Sequence, residues 1–385
     1  MTRFAGAGVA LMVLAAPALH AQGQVKSAVY FERYTFDSLA VSALSELTIP
    51  ITVTAELGRW GRLLVTGGYV SVDLKSRDPQ GEDRTISGAL DTEARVTIDL
   101  VPERLMLLLN GAIPTGIKSV NAPELSALTL VAEDIIGFTA SELGTGGYVG
   151  SGLVGAFPAG RMAVGIAATY RLPFSYEPIK GAASGGQFGA LQPGSTLRPG
   201  NEFRLRVGLE GPLGPRTYLR TAGIFAVRQS DAINDATVSG VGNRLTGYVS
   251  LNQAIGGSSA TFYAFDVFRG NPQIEPNAIG TGFLPRGNLF VVGTQWAFRL
   301  SASAELTPQL EYRLSHAAPD TVTNSLERAG SSFRVGANLR RQLSQRVGLV
   351  IHASALTGKI RQVAGVPTDS DVSGFRGAVH LEVRH

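Results

Sequence analysis

The feature that most constrains this chain is a period-two alternation of apolar and polar residues, which recurs in segments of about ten residues to the C-terminal end. Phe203, Leu205, Val207 and Leu209 alternate with Glu202, Arg204, Arg206 and Glu210. Leu245, Val249 and Leu251 alternate with Arg244, Thr246, Ser250 and Asn252. Phe333, Val335 and Leu339 alternate with Arg334, Asn338 and Arg340, and Phe375, Val379, Leu381 and Val383 with Arg376, His380 and Glu382. A strand sends successive side chains to opposite faces, so each segment has one apolar and one charged wall; a helix would scatter the same charges around its circumference. The segment Thr85 to Leu100 reads the same way, with Ile86, Leu90, Ala94, Val96, Ile98 and Leu100 expected on one face.

A soluble sandwich also alternates, so the distinction rests on what accompanies the pattern. The polar face holds fixed charges at consecutive positions, which a wet lumen tolerates and a dry core does not. Charged residues make up 17% of the chain, below the roughly 25% of soluble domains. Beyond the N-terminus no apolar run reaches the ~18 residues of a membrane-spanning helix. Arg3, the apolar stretch Gly6 to Leu14 and the small residues up to Ala21 read as a secretory signal peptide over residues 1–21, with cleavage after Ala18 as the alternative.

Connections alternate between short and long. Short turns are expected near 58–60, 101–103, 158–160, 212–215, 256–258, 302–307 and 344–345. Long connections are expected near 37–46, 75–84, 114–146, 172–200, 230–240, 270–286, 318–330 and 358–372. Short periplasmic turns and long extracellular loops are the habit of outer-membrane barrels. The expectation is an all-β, transmembrane, antiparallel up-and-down barrel of about 16 strands, or 14 if the first hairpin is absent, filling residues 22–385 as a single domain. Alternation begins within about ten residues of the expected cleavage site, which leaves no room for the plug domain of TonB-dependent receptors. The expected location is the outer membrane of a Gram-negative cell, with its lipid and its barrel-assembly machinery as partners.

The face assigned to the lumen is strongly basic. From residue 200 onward it carries Arg204, Arg206, Arg220, Arg228, Arg244, Arg299, Arg313, Arg334, Arg340, Arg346, Arg376 and Arg384, against Glu202, Glu210, Asp266, Glu311 and Glu382. Fixed positive charge in a narrow pore favours anions, because low-dielectric walls focus its field. Arg204, Arg206, Arg220, Arg244, Arg299, Arg313, Arg334, Arg340 and Arg376 are the pore-lining candidates. The longest loop, 114–146, holds Glu124, Glu133, Asp134 and Glu142 against the single Lys118, with apolar residues at helical spacing from Leu125 to Phe138. Folded inward, its acids would meet the arginines and narrow the pore; folded outward, the loop would cap the barrel. Trp60, Tyr148, Tyr170, Phe290 and Phe298 are expected in interfacial girdles.

Catalysis is not expected. His316, His352, His380 and His385 lie on different segments, outside any G-x-S-x-G context and without metal-ligand spacing. His352 and His380 are read as ordinary lumen residues. With no Cys there is no disulfide and no thiolate site. The formal charge of +4, or +3 once Arg3 leaves with the leader, is too small and too dispersed to indicate nucleic acid. No metal or cofactor is implied.

The stretch LLLNGAIPTG, Leu107 to Gly116, closes a strand in a Pro-Thr-Gly turn before the long loop, and Gly144-Thr145-Gly146 opens a glycine-rich strand after it. This arrangement resembles the fatty-acid-transporter-like and phenol-degradation-type outer-membrane channels, which implies passage of amphipathic molecules. The N-terminal Asn-Pro-Ala hatch of the fatty-acid transporters is missing, and Val383-Arg384-His385 replaces the usual terminal aromatic residue. The functional expectation is passive movement of small solutes, leaning to anionic or amphipathic ones. A structural or adhesive barrel is the alternative, and a barrel enzyme the third reading. The sequence leaves solute identity and oligomeric state open.

Overall fold

The computed structural model describes residues 23–121, 124–180, 192–238, 242–270, 286–317, 328–364 and 366–384. Two small sheets lie in the long connections, and most of the described residues form one closed antiparallel sheet of sixteen strands, one of them in two pieces. In chain order these are β1 (Gly23–Phe36), β2 (Val41–Glu56), β3 (Gly61–Ser76), β4 (Arg84–Ala89 continued by Thr92–Val101), β5 (Leu105–Ile113), β6 (Tyr148–Ala159), β7 (Met162–Pro173) and β8 (Glu202–Gly214). Then follow β9 (Thr217–Arg228), β10 (Arg244–Ile255), β11 (Ser258–Arg269), β12 (Arg286–Arg299), β13 (Ala304–Ala317), β14 (Arg328–Gln342), β15 (Val347–Ala364) and β16 (Val366–Arg384). Each strand pairs with the next, and β16 pairs with β1 from Gln24↔Arg384 to Phe36↔Val372, so no edge is left open. Closure matters because an open edge in hydrocarbon would leave backbone groups without partners.

The outer wall is apolar. Val149, Leu153, Phe157, Phe203, Leu205, Val207, Leu245, Val249, Phe290, Val292, Phe333, Val335, Val379 and Leu381 are all exposed. Contiguous apolar surface on this scale is not stable in water; around a closed barrel it is the lipid-facing belt. The protein is therefore a transmembrane barrel of the outer-membrane type. Residues Gly23 and Arg384 stand at the short-turn rim.

Several expectations change. The first connection is only the turn 37–40, with Val41 to Glu46 already in β2; Leu39, Val41, Ala43 and Leu44 are buried, which explains their apolar character and settles sixteen strands over fourteen. The expected loop 358–372 is instead a tall hairpin, with Lys359 paired to Asp371 and Arg361 to Asp369. Expected loops 270–286 and 318–330 fall largely outside the described residues, as does the expected leader.

The β4 segment does not keep one parity. Val72 faces Ile86 and Tyr69 faces Ala89, but Thr66 faces Glu93, so one extra residue sits on β4. Ile86 consequently faces the lumen and is buried, while Ala94, Val96, Ile98 and Leu100 face outward. Such a slip inverts every side chain beyond it. Asp266 is a second correction: it faces Phe290 in the ladder, on the lipid side between Phe262 and Phe268, and not the lumen. Tyr148 is a third, turned inward beneath the Arg171 guanidinium at 3.6 Å rather than standing in a girdle.

Strand length divides the barrel. β14, β15, β16, β1, β2 and β3 run 15, 18, 19, 14, 16 and 16 residues. β7 to β11 run 12 or 13. The tall side also holds most of the buried core: Tyr34, Phe36, Leu44, Val70, Val72, Leu356 and Val372 pack with Leu130, Val131, Ile136 and Phe138 of the long loop.

Candidate functional site

The 114–146 loop enters the barrel, and its backbone chemistry explains how it stays there. After a short helix, α1 (Leu125–Val131), the chain runs without regular structure through residues 133–140. Ile135 and Ile136 are fully buried. A buried irregular segment must find partners for its peptide groups, and inward side chains of the strands supply them in order. The Asp134 carbonyl accepts from Arg313 Nη1 at 2.9 Å, and the Ile135 carbonyl from Ser332 Oγ at 2.8 Å. The Ile136 carbonyl accepts from Arg334 and the Gly137 carbonyl from Arg376. The polarity then reverses. Thr139 N donates to Glu32 Oε1 and Ala140 N to Glu46 Oε1, each at 2.9 Å. Three arginines and a serine hydroxyl therefore take the carbonyls, and carboxylates take the amides.

The charges in this clasp also balance one another. Arg376 lies 2.8 Å from Glu32, whose carboxylate is fully buried and also accepts from Tyr34 Oη at 3.0 Å. Arg269 grips the Asp134 carboxylate with its two terminal guanidinium nitrogens, at 2.7 and 3.0 Å. Gly137 has a φ of 59°, and a Cβ there would overlap the Arg313 guanidinium, so only glycine fits. At the loop's base, Asp91 sits in the break of β4 and accepts from Gly116 N, Thr145 N and Thr145 Oγ1 at 2.9, 2.7 and 2.9 Å. The same aspartate that interrupts the alternation anchors both ends of the loop. Nearby, burial holds the Tyr176 phenol above its ordinary pKa.

All nine arginines expected to line the pore lie on the inward parity of their strands, but they divide into two groups. Arg313, Arg334 and Arg376 are consumed in holding the loop. Arg204 pairs with Glu202, and Arg220 with Glu210 at 2.9 Å, as wall pairs. Arg340 comes no nearer than 3.9 Å to Glu382. Arg299 stands opposite Glu305 near the short-turn rim. Arg206 and Arg244 make no ion pair among the described residues. Arg204, Ala226, Arg244 and Arg269 stand level across β8 to β11, so three guanidinium groups share one height of the wall.

The four loop acids also separate. Asp134 makes an ion pair with Arg269 on the wall. Glu124 turns back on Asn121, taking its N at 2.8 Å and its Nδ2 at 3.1 Å. Glu133 offers its carbonyl to Gly137 N at 3.0 Å. Glu142 lies within electrostatic reach of Arg244. Sequence reasoning missed Glu32, Glu46, Asp91 and Arg269. The first two carried a usable signal, since each is a carboxylate at an inward position of an otherwise apolar strand. Arg346, expected on the inner wall, lies in the turn before β15.

No family model matches the chain, and no curated protein matches it. Solved structures similar to it include the OccK7 (OpdD) protein of Pseudomonas aeruginosa, at 9% identity and a TM-score of 0.46 over 94% of this chain and 98% of that one. OccAB3 of Acinetobacter baumannii is 7% identical, with a TM-score of 0.46 over 94% and 99%. OmpT of Vibrio cholerae, an outer-membrane protein, is 7% identical with a TM-score of 0.42 over 94% and 97%. These structures lend no support to the finer resemblance to the fatty-acid-transporter-like and phenol-degradation-type group. Likeness at this level carries no inference about solutes or chemistry.

Proposed function

We propose that this protein is an outer-membrane channel for passive passage of small solutes, with a preference for anionic or amphipathic ones. One observation carries the reading: the inserted loop is fastened mainly to the tall side of the barrel, with Arg269 of β11 holding Asp134, and the inner wall of β8 to β10 presents Arg204, Arg206, Arg220 and Arg244, of which Arg206 and Arg244 make no ion pair among the described residues. Unneutralised positive charge on one wall of a pore attracts anions, and the low dielectric of the surroundings extends its reach. The loop narrows the passage from the other side. In this reading residues 1–21 are the export signal, residues 22–385 form the barrel, and its partners are outer-membrane lipid, the assembly machinery and the solute.

The test is a planar-bilayer reversal potential in a salt gradient. Replacing Arg204 and Arg206 together by Gln is expected to move it toward cation preference. A reversal potential indifferent to both substitutions would reduce these arginines to wall braces, and a barrel without any conductance would favour the structural reading.

A further inference from the structure

On the inner wall between the clasp and the short-turn rim, two neighbouring strands bring together three polar side chains that the channel reading does not use. His352 and Ser354 are two residues apart on β15 and therefore share its inward face. Asn338 of β14 stands directly opposite His352 in the ladder. His352 Nδ1 lies 2.8 Å from Asn338 Oδ1, and Nε2 lies 3.1 Å from Ser354 Oγ. One tautomer satisfies both contacts: Nδ1–H donates to the amide oxygen, which cannot donate in return, and Nε2 accepts from the serine hydroxyl. That is the order of a nucleophile, its base and the group that orients the base. Sequence reading set His352 aside for want of a serine motif; here the serine is two residues along the strand and the orienting amide comes from the next strand.

We propose that Ser354, His352 and Asn338 form a hydrolytic site for small acyl esters inside the barrel. Asn338 and His352 are half-buried, and Ser354 is 8% exposed, so the hydroxyl lies at the floor of the wall rather than out in the lumen. Gly336, the ladder partner of Ser354, permits this closeness: a Cβ there would lie 2.6 Å from Ser354 Cβ and 2.8 Å from the Ala353 carbonyl oxygen. Arg340 is the next inward residue after Asn338 toward the short-turn rim, with a side chain 51% exposed. It offers an anchor to an ester that also bears a carboxylate.

In the reaction, Ser354 Oγ bonds to the ester carbonyl carbon while its proton passes to His352 Nε2. The acyl–oxygen bond of the ester then breaks, and the alcohol departs with the proton from Nε2. A water molecule gives its proton to Nε2 and its oxygen to the acyl-serine carbon. The carboxylic acid leaves as Ser354 recovers its proton. Ser354 and His352 are the catalytic residues; Asn338 is a positioning residue that holds the imidazole in the required tautomer.

The experiment uses the full barrel in detergent, a fluorophosphonate probe, and two esters, 4-nitrophenyl acetate and 4-nitrophenyl hemisuccinate. Peptide mapping is expected to place the fluorophosphonate on Ser354. Hydrolysis is expected to fall by about 100-fold or more in Ser354→Ala and in His352→Gln. Asn338→Leu is expected to lower kcat with KM unchanged, and Asn338→Asp to restore most of the rate, a rescue that a bracing role would not produce. Heat-modifiable gel migration reports that each variant is folded, and labelling of the unaltered barrel needs no variant. Absence of the label from Ser354, or hydrolysis undiminished in folded Ser354→Ala, would overturn the assignment.

Discussion

The two sides of this barrel are built from the same alternating strands, yet they treat charge in opposite ways. On the tall side, β13 to β16 and β1 to β3, inward Arg313, Arg334, Arg376, Glu32 and Glu46 are withdrawn from water and spent on the peptide groups of the inserted loop. On the short side, Arg204, Arg206, Arg220 and Arg244 of β8 to β10 face the lumen, either held by same-wall carboxylates or without an ion pair among the described residues. Residue type alone does not decide whether a lumenal arginine is a brace or a field source. What decides it is whether a chain segment with unpaired backbone groups lies against it.

Breaking one member on each side is expected to give the largest contrast. Arg376→Leu leaves buried Glu32 without its cation and the Gly137 carbonyl without its donor. Removing one partner of a buried pair costs about 3–5 kcal/mol. Arg206→Gln, on the open side, is expected to stay within about 0.5 kcal/mol. Denaturant unfolding followed through Trp60 and Trp296 measures both. Similar costs for the two would erase the distinction between the sides.

The division between lipid and lumen is tested on one strand. Val292 is exposed on the outer wall of β12, whereas Gln295 faces inward opposite Gln309. Val292→Arg is expected to cost about 2–4 kcal/mol, the price of a cation within the bilayer, and Gln295→Arg far less. Folding yield into lipid vesicles gives the comparison, and equal yields would mean the faces are reversed.

The barrel was legible in the sequence because its signal is repeated on every strand. Leu245, Val249, Phe290, Val335 and Leu381 face outward, and Arg244, Arg334 and Glu382 inward, as the alternation requires. The pattern misled where local chemistry interrupts it. The extra residue around Asp91 inverts half of β4, and nothing in the alternation marks it, because Ile86 is apolar for a different reason: it packs under the loop. Asp266 reads as inward because it is charged, yet it faces out with its ladder partner Phe290. The inward loop was one of two readings of its acids and apolar spacing. Its clasp was invisible, because Glu32 and Glu46 bind backbone amides of the loop, Arg269 binds the loop's Asp134 carboxylate, and a strand pattern carries no information about which loop will lie against it.

Smaller effects are expected on the open side. Replacing Arg204 and Arg206 by Gln is expected to change stability by less than about 1 kcal/mol, since partly exposed ion pairs contribute little, while still moving the reversal potential. A large loss of stability would place these arginines with the braces. Smallest of all, Asp266→Leu is expected to shift stability by less than about 1 kcal/mol and in the stabilising direction, because a lipid-facing carboxylate is penalised less than a cation. A clear destabilisation in vesicles would show that Asp266 has a partner on the outer wall.

The most direct measurement is the single-channel conductance of a barrel lacking residues 120–140. The deletion removes Glu124, Glu133 and Asp134 and releases Arg269, Arg313, Arg334 and Arg376 from their loop contacts. A channel narrowed by this loop against a basic wall is expected to conduct more and to prefer anions more strongly once the loop is gone. Conductance and selectivity unchanged from the intact barrel, or absent from both, would contradict it.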